Sequence, residues 1–235
     1  MPRAYRLARM GAADMRKEET HSPAPELREL RLGDRWEYSV AGTLTSPDGQ
    51  SLPIVGEIEV SIVPESLTGR AEQKTIRFSQ NLEVTQPDGS KKVLPAPTWM
   101  FSFVQDADTA DVAIAADNMG SGGACRIANA PQVFYPGRWT SETGYDNRLD
   151  FDNGDFVRNT LKVVGQEWVE TARGSYLAWK SEIASESAAM GRIEGVDWWT
   201  PELGAPARFA TNAGTPDGSR MRFVATLRES NVLPG

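Results

Sequence analysis

Histidine is almost absent: the single copy, His21, stands in a charged N-terminal stretch apart from the patterned remainder of the chain. Serine and cysteine triads with a His base, His-ligated zinc sites and the two-His-one-carboxylate iron site all need a residue that the patterned region does not supply. No Ser-x-x-Lys occurs to suggest a Ser-Lys dyad instead. Cysteine is equally scarce, and the lone Cys125 rules out an internal disulfide while saying nothing about compartment. It follows Gly120-Ser121-Gly122-Gly123 with only Arg126 as a positive neighbour, so it reads as a small semi-buried side chain rather than an activated thiolate. Those glycines lack the Gly-Lys-Ser/Thr ending of a phosphate-binding loop.

Positive charge is in deficit as well, with 25 Lys and Arg against 32 Asp and Glu and a net charge of −7. Such a balance argues against a nucleic-acid partner and against an anionic membrane surface, both of which need a clustered basic face. Apolar runs are strand-sized, short of the roughly 18 residues of a transmembrane helix. No segment sustains the 3.6-residue period of a long helix, and Ser185 to Met190 offers one turn at most.

What the chain does have is turn chemistry. Pro47-Asp48-Gly49, Pro87-Asp88-Gly89 and Pro216-Asp217-Gly218 each sit between segments that alternate apolar and polar residues, and Asn153-Gly154 is a fourth signal of the same kind. Proline presets φ, aspartate bonds its own downstream backbone, and glycine takes the positive φ of a tight turn. Between these turns Trp36, Tyr38, Val40 and Leu44 share one face, as do Ile54, Ile58, Val60 and Ile62, and then Ile76, Phe78, Leu82 and Val84. Trp99, Phe101 and Phe103 follow. Asn159 to Thr171, Ser175 to Glu186, Arg192 to Thr200, Ala205 to Thr211 and Arg220 to Arg228 continue the pattern. The reading is an all-β fold: long antiparallel strands in a curved sheet forming a half-barrel or open barrel, with at most one or two short helices.

Residues 1–30 mix Arg3, Arg6, Arg9, Arg16 and Lys17 with Glu18, Glu19, Glu26 and Glu29 and read as a mobile leader, with a helical turn expected at Glu26 to Leu30. The leader lacks the apolar core of a secretory signal. Residues 31–230 then form a single β domain. Gly33-Asp-Arg-Trp36 followed by Val55-Gly56-Glu57 parallels Gly137-Arg138-Trp139 followed by Val164-Gly165-Gln166, which suggests matched halves over 33–116 and 137–230. The joining stretch 117–136 reads as a long loop, the place to expect a lid or gate.

Site candidates are few. Asp146, Asp150, Asp152 and Asp155 are weak candidates for calcium, against the plainer reading of a solvated hairpin flanking Asn153-Gly154. No cofactor is called for. A carboxylate pair for hydrolysis would have to be sought near Asp106 to Asp111, where no local context elevates it. The seven tryptophans are more suggestive. Adjacent strand residues face opposite ways, so one of Trp198 and Trp199 is expected inward and the other outward.

Three motifs follow one another: Gly165-Gln-Glu167, then Gly174-Ser-Tyr176-Leu-Ala178-Trp-Lys180, then Trp198-Trp199-Thr-Pro201-Glu-Leu-Gly204. In this order they resemble a group of exported bacterial β proteins related to the LolA/LolB-like half-barrels that carry lipoproteins, over residues 137–230. The resemblance implies an open barrel with an apolar concave face, a periplasmic or envelope location, and no defining catalytic residue. Two departures stand beside it: the chain shows no signal sequence and lacks the helices that plug the carriers' cavity. The expected function is therefore non-enzymatic binding of an apolar or amphipathic ligand, a lipid or other small hydrophobic molecule, or of a partner chain. Trp36, Tyr38, Phe101, Trp179 and Trp199 are the expected lining. The alternative is a carbohydrate-binding module using an exposed Trp198 or Trp168, with Asp150 and Asp152 on calcium; a carboxylate-pair hydrolase is the second alternative.

Overall fold

The structure, a computed structural model, describes residues 26–70, 72–95, 98–118, 125–129, 132–187, 191–214 and 217–232. The turn chemistry acts as expected where it is described. Strands β1 (Arg35–Thr45) and β2 (Ser51–Val63) pair antiparallel around Pro47-Asp48-Gly49, where Gly49 takes φ 87°. The Asp48 carboxylate accepts from Ser46 Oγ and from the Gln50 N–H at 3.3 Å, and these bonds, the Ser46 one foremost, hold its pKa below the usual value. Strands β3 (Lys74–Thr85) and β4 (Lys91–Val93) repeat the device, with Asp88 accepting from Ser90 Oγ at 2.6 Å and from its N–H at 2.9 Å. Pro216 of the third turn lies outside the described residues.

Next come β5 (Trp99–Gln105), β6 (Val112–Asp117), β7 (Cys125–Arg126) and β8 (Gln132–Tyr135). The second half supplies β9 (Gly144–Asp150), β10 (Phe156–Thr171), β11 (Gly174–Ser187), β12 (Gly191–Thr200), β13 (Ala205–Gly214) and β14 (Arg220–Ser230). All are antiparallel in one curved sheet ordered β7-β6-β5-β3-β2-β1-β14-β13-β12-β11-β10-β9, with β4 beside β3 and β8 beside β6. The first strand thus pairs with the last, and both halves of the chain contribute to one hydrophobic core that includes Trp36, Tyr38, Ile58, Leu161, Trp199 and Leu227.

The ladder does not close, but its two ends are pinned. Ile127, just past β7, bridges to Phe151, just past β9, and the Ala128 N–H donates to the Asp150 carbonyl at 2.6 Å. Two asparagines extend the seam: Asn129 Nδ2 donates to the Arg148 carbonyl at 2.8 Å, and Asn147 Nδ2 to the Val133 carbonyl at 2.6 Å. The expected loop over 117–136 therefore carries two short strands and the seam itself, because its backbone groups find partners on β6 and on the β9 side that are invisible locally. Residues 119–124 and 130–131 of that stretch lie outside the described residues.

One end of the curved sheet is crossed by residues 26–30. Leu27 and Leu30 are buried there, at 3% and 1% exposure. The Leu27 N–H donates to the Gly137 carbonyl at 2.7 Å and the Arg28 N–H to the Pro201 carbonyl at 3.1 Å. Gln105 ties the strap from the other side, accepting from the Leu30 N–H at 2.8 Å and donating to the Arg28 carbonyl at 3.0 Å. The expected helical turn over 26–30 is not formed, since these backbone groups are taken by distant strands and turns in an extended strap. Nor does this segment belong to a mobile leader; residues 1–25, His21 among them, lie outside the described residues. Gly204, at φ 67°, lets the 201–204 turn meet the strap: a Cβ there would stand 2.6 Å from Leu30 Cδ2. Of the turn expected within Ser185 to Met190, Ser185–Ser187 instead continue β11 in register with Asn159 to Val157, and residues 188–190 lie outside the described residues.

Candidate ligand-binding interior

Residues directly opposed on neighbouring strands share a face. Following the registers from β10 to β3 therefore gives one inward row: Val163, Ser181, Asp197, Phe209, Ala225, Val40, Gly56 and Leu82. The rows beside it bring Leu161, Ile183, Gly195, Thr211, Phe223, Gly42 and Ile54 on one side, and Trp179, Trp199, Leu227, Tyr38 and Ile58 on the other. Asp197 is the only Asp, Glu, Lys, Arg or His side chain that these inward positions carry. Its neighbours on the inward rows include Ser181, opposite it on β11, and Gly195, two residues before it on β12.

Asp197 forms no hydrogen bond and no ion pair among the described residues. It is half-buried by surface exposure. Removal from bulk water nonetheless pushes its pKa from 3.8 up to about 7. The carboxyl is thus desolvated yet incompletely covered. Tyr135 and Tyr145 share that combination, and with fully buried Tyr38 they are raised in pKa, first by burial and then by the Asp197 charge. Tyrosines of β8, β9 and β1 therefore lie within electrostatic reach of the carboxyl.

An aromatic wall continues from this point. The Trp199 ring is stacked between Tyr135, at 4.4 Å, and Trp139, at 5.4 Å. Phe134 extends the chain of rings to Phe101, and Phe101 to Phe78 and Trp99. On the far side Tyr38 meets Phe209 edge-on at 5.1 Å. Trp139 Nε1, Trp199 Nε1 and Ser181 Oγ of this region are buried without a hydrogen-bond partner among the described residues, a condition that Trp198 Nε1 and Arg208 Nε of the outer cluster share.

The seam is open at the surface. Among the described residues no backbone ladder forms between β8 and β9, and an open depression of about 460 Å³ is lined by Val133, Pro136, Arg138, Glu142, Gly144 and Tyr145. Tyr145 belongs both to this opening and to the group around Asp197.

The tryptophan expectations divide accordingly. Trp36 and Tyr38 are inward and fully buried, Trp36 Nε1 donating to the Leu203 carbonyl at 3.1 Å and Tyr38 Oη to that of Pro206 at 3.0 Å. Trp179 is half-buried against the main core, Phe101 is half-buried against the separate cluster of Ile114, Ile127 and Leu149, and Trp199 is inward at 2% exposure. Trp198 faces outward, away from the others. Lys180 Nζ and Arg208 Cζ lie 5.3 and 5.7 Å from its ring centroid, and Val169, Ala178 and Ala207 form the small cluster it packs against. That cluster forms because the end of the β10–β11 hairpin leans onto β13, where Arg208 donates to the Glu170 carbonyl. Trp168 and its cross-strand neighbour Leu177 are left on the hairpin's other face, 66% and 42% exposed. Trp168→Ala is accordingly expected to change stability by no more than about 0.5 kcal/mol while removing the most red-shifted component of tryptophan emission, checked by urea titration and fluorescence.

The acidic candidates are spent on structure. Asp146 takes a bidentate contact from Arg158 at 2.9 and 2.6 Å, Asp150 an ion pair from Arg148 at 2.7 Å, and Asp152 the Arg126 N–H at 3.2 Å. Asp155 accepts from Asn153. No group of three possible metal ligands gathers among the described residues. Asp106 caps its own turn through the N–H groups of Asp108 and Thr109, and Asp111 accepts from the Gly137 N–H at 2.6 Å. Burial, followed by the charges of Asp152, Asp117 and Asp155, pushes the Cys125 thiol up, away from the thiolate.

Sequence reasoning missed Asp197, Tyr135, Tyr145 and Trp139. A usable signal existed for the first: Gly195, Asp197 and Trp199 alternate with Glu194, Val196 and Trp198, so an inward Trp199 carries the acid inward with it.

No protein-family model matches the chain, and no curated protein sequence does. Among solved structures, similarity is found to a Bacteroides fragilis protein described as exported and as having a YmcC-like fold, with 11% identity and a TM-score of 0.38 over 88% of this chain and 99% of that one. A Parabacteroides distasonis protein described as a lipoprotein is similar at 12% identity and a TM-score of 0.37, over 89% and 100%.

Proposed function

We propose that this chain binds an amphipathic small molecule inside the curved sheet, with the ligand's apolar part against the aromatic wall and its polar end at Asp197, and that it does so without catalysing a reaction. The observation that carries the reading is the unpartnered Asp197 carboxyl on inward rows that hold no other charge, two residues before Trp199, whose indole N–H also lacks a partner among the described residues. A folding core gains nothing from such a group; an unpaired carboxyl there costs stability, and a ligand that completes it repays that cost. Binding without catalysis is supported by the same inventory: the inward rows around Asp197 offer it no second carboxyl, and no His stands among the described residues.

The test is native mass spectrometry of the gently purified protein, followed by a titration of tryptophan fluorescence with soluble decyl amphiphiles. Trp199 and Trp139 stand in the wall, so one-to-one binding is expected to shift their emission saturably. No bound small molecule together with no saturable response to any head group sinks the proposal.

A further inference from the structure

Resting on that reading, we infer that the polar end of the ligand is an ammonium group with no accompanying anion: the interior site is a cation site made of one carboxylate and aromatic rings. Three observations converge on this. Asp197 is the only charged side chain on the inward row from Val163 to Leu82 and on the two rows beside it, so no Lys or Arg of those rows neutralises it. Rings stand next to it: Phe209 opposes it directly on β13, Tyr38 meets Phe209 edge-on at 5.1 Å, and Tyr135 stacks at 4.4 Å on Trp199 two residues further along β12, rings of the kind that suit a desolvated cation beside a carboxylate. At the opening, Arg138 is engaged by Glu26 at 2.9 Å, whereas Glu142 has no ion-pair partner among the described residues, so the mouth is acidic on balance. An anionic or zwitterionic head would bring a negative group toward Asp197 with no basic side chain to receive it.

The titratable groups that face Asp197 are Tyr38 on β1, Tyr135 on β8 and Tyr145 on β9, all neutral at physiological pH because burial raises them. Its neighbours on β11 and β13, Ser181 and Phe209, do not titrate. Affinity for a permanent cation should therefore follow the ionisation of this one carboxyl.

The experiment is isothermal titration of the full chain with decyltrimethylammonium, 1-decanol, decanoate and decylphosphocholine, at about pH 8 and about pH 5.5. At the higher pH the quaternary amine is expected to bind at least about tenfold more tightly than the alcohol, with decanoate and decylphosphocholine weaker than the amine. The preference should shrink severalfold at the lower pH, where Asp197 takes up a proton, although the ligand's own charge is unchanged. Asp197→Asn should abolish the preference, so that amine and alcohol bind alike; Trp168→Ala, on the outer face of the β10–β11 hairpin, should retain it. Equal binding of amine and alcohol, a pH-independent preference in the unmodified protein, or decylphosphocholine binding as tightly as the amine overturns the cation assignment and leaves the amphiphile reading standing. No binding of any of the four overturns both.

Discussion

Asp197→Asn is expected to stabilise the unliganded protein at about pH 8 by about 2–4 kcal/mol, and to remove most of its pH dependence between about pH 4 and pH 8. The carboxyl titrates near 7 in the folded state, against 3.8 unperturbed, because burial disfavours its charge and no partner compensates. A raised native pKa means that the folded state binds the proton more tightly than the unfolded one. The associated stability is fully present below about pH 4, declines as pH rises, and is gone once the folded carboxyl has ionised above about pH 7. The upper figure is the full shift at about 1.4 kcal/mol per unit; water reaching the carboxyl lowers it. Asparagine keeps the shape and removes the charge, so urea midpoints for the two proteins should diverge as pH rises and nearly meet at the acid end. Parallel pH profiles would show that the carboxyl is already paired or solvated in the folded state. Were the preference for the quaternary amine found, the amine should also shift the midpoint of the unmodified protein far more than that of the variant.

Leu30→Ala is expected to cost about 2–5 kcal/mol, a larger effect than its place at the edge of a segment that reads as a mobile leader would suggest. Leu30 is 1% exposed in the main core, and its side chain meets the turn at Gly204. Its backbone is held on both sides, the N–H by Gln105 at 2.8 Å and the carbonyl by Lys74 Nζ at 2.6 Å. Truncation leaves a cavity between the strap and the 201–204 turn, where rigid strand ends cannot collapse to fill it. The measurement is a chemical denaturation curve with a shifted midpoint and an unchanged slope, coupled to acrylamide quenching of Trp36 and Trp139, which should rise as the strap loosens. A midpoint within about 0.5 kcal/mol of the unmodified protein would mean that residues 26–30 do not seal this end.

The hairpins were legible because their causes are local. A Pro-Asp-Gly turn closes on itself through Asp48 or Asp88, and period-two alternation follows from backbone geometry alone, so the expected strands over 159–171, 175–186, 192–200, 205–211 and 220–228 all lie within β10 to β14. The strap and the seam were not legible. Leu27 to Leu30 carries helix-forming residues, yet its backbone is claimed by Gly137, Pro201 and Gln105, far away in sequence. Tyr135 sits in a stretch without regular alternation, and only pairing of β8 with β6 orients its ring onto Trp199.

By itself, then, the sequence determined that this chain is a succession of long antiparallel hairpins and that one of Trp198 and Trp199 must face the core. The tertiary structure alone decided which of the two does, and with it that Asp197 turns inward. It also decided that Trp198 is spent on an outer cluster with Lys180 and Arg208, and that tyrosines from three distant strands come within electrostatic reach of one carboxyl. The reason is physical: alternation says which residues share a face, but curvature, register and the bulges between Val163 and Gly165 and between Trp198 and Trp199 say which face is inside, and these are set by contacts between residues remote along the chain.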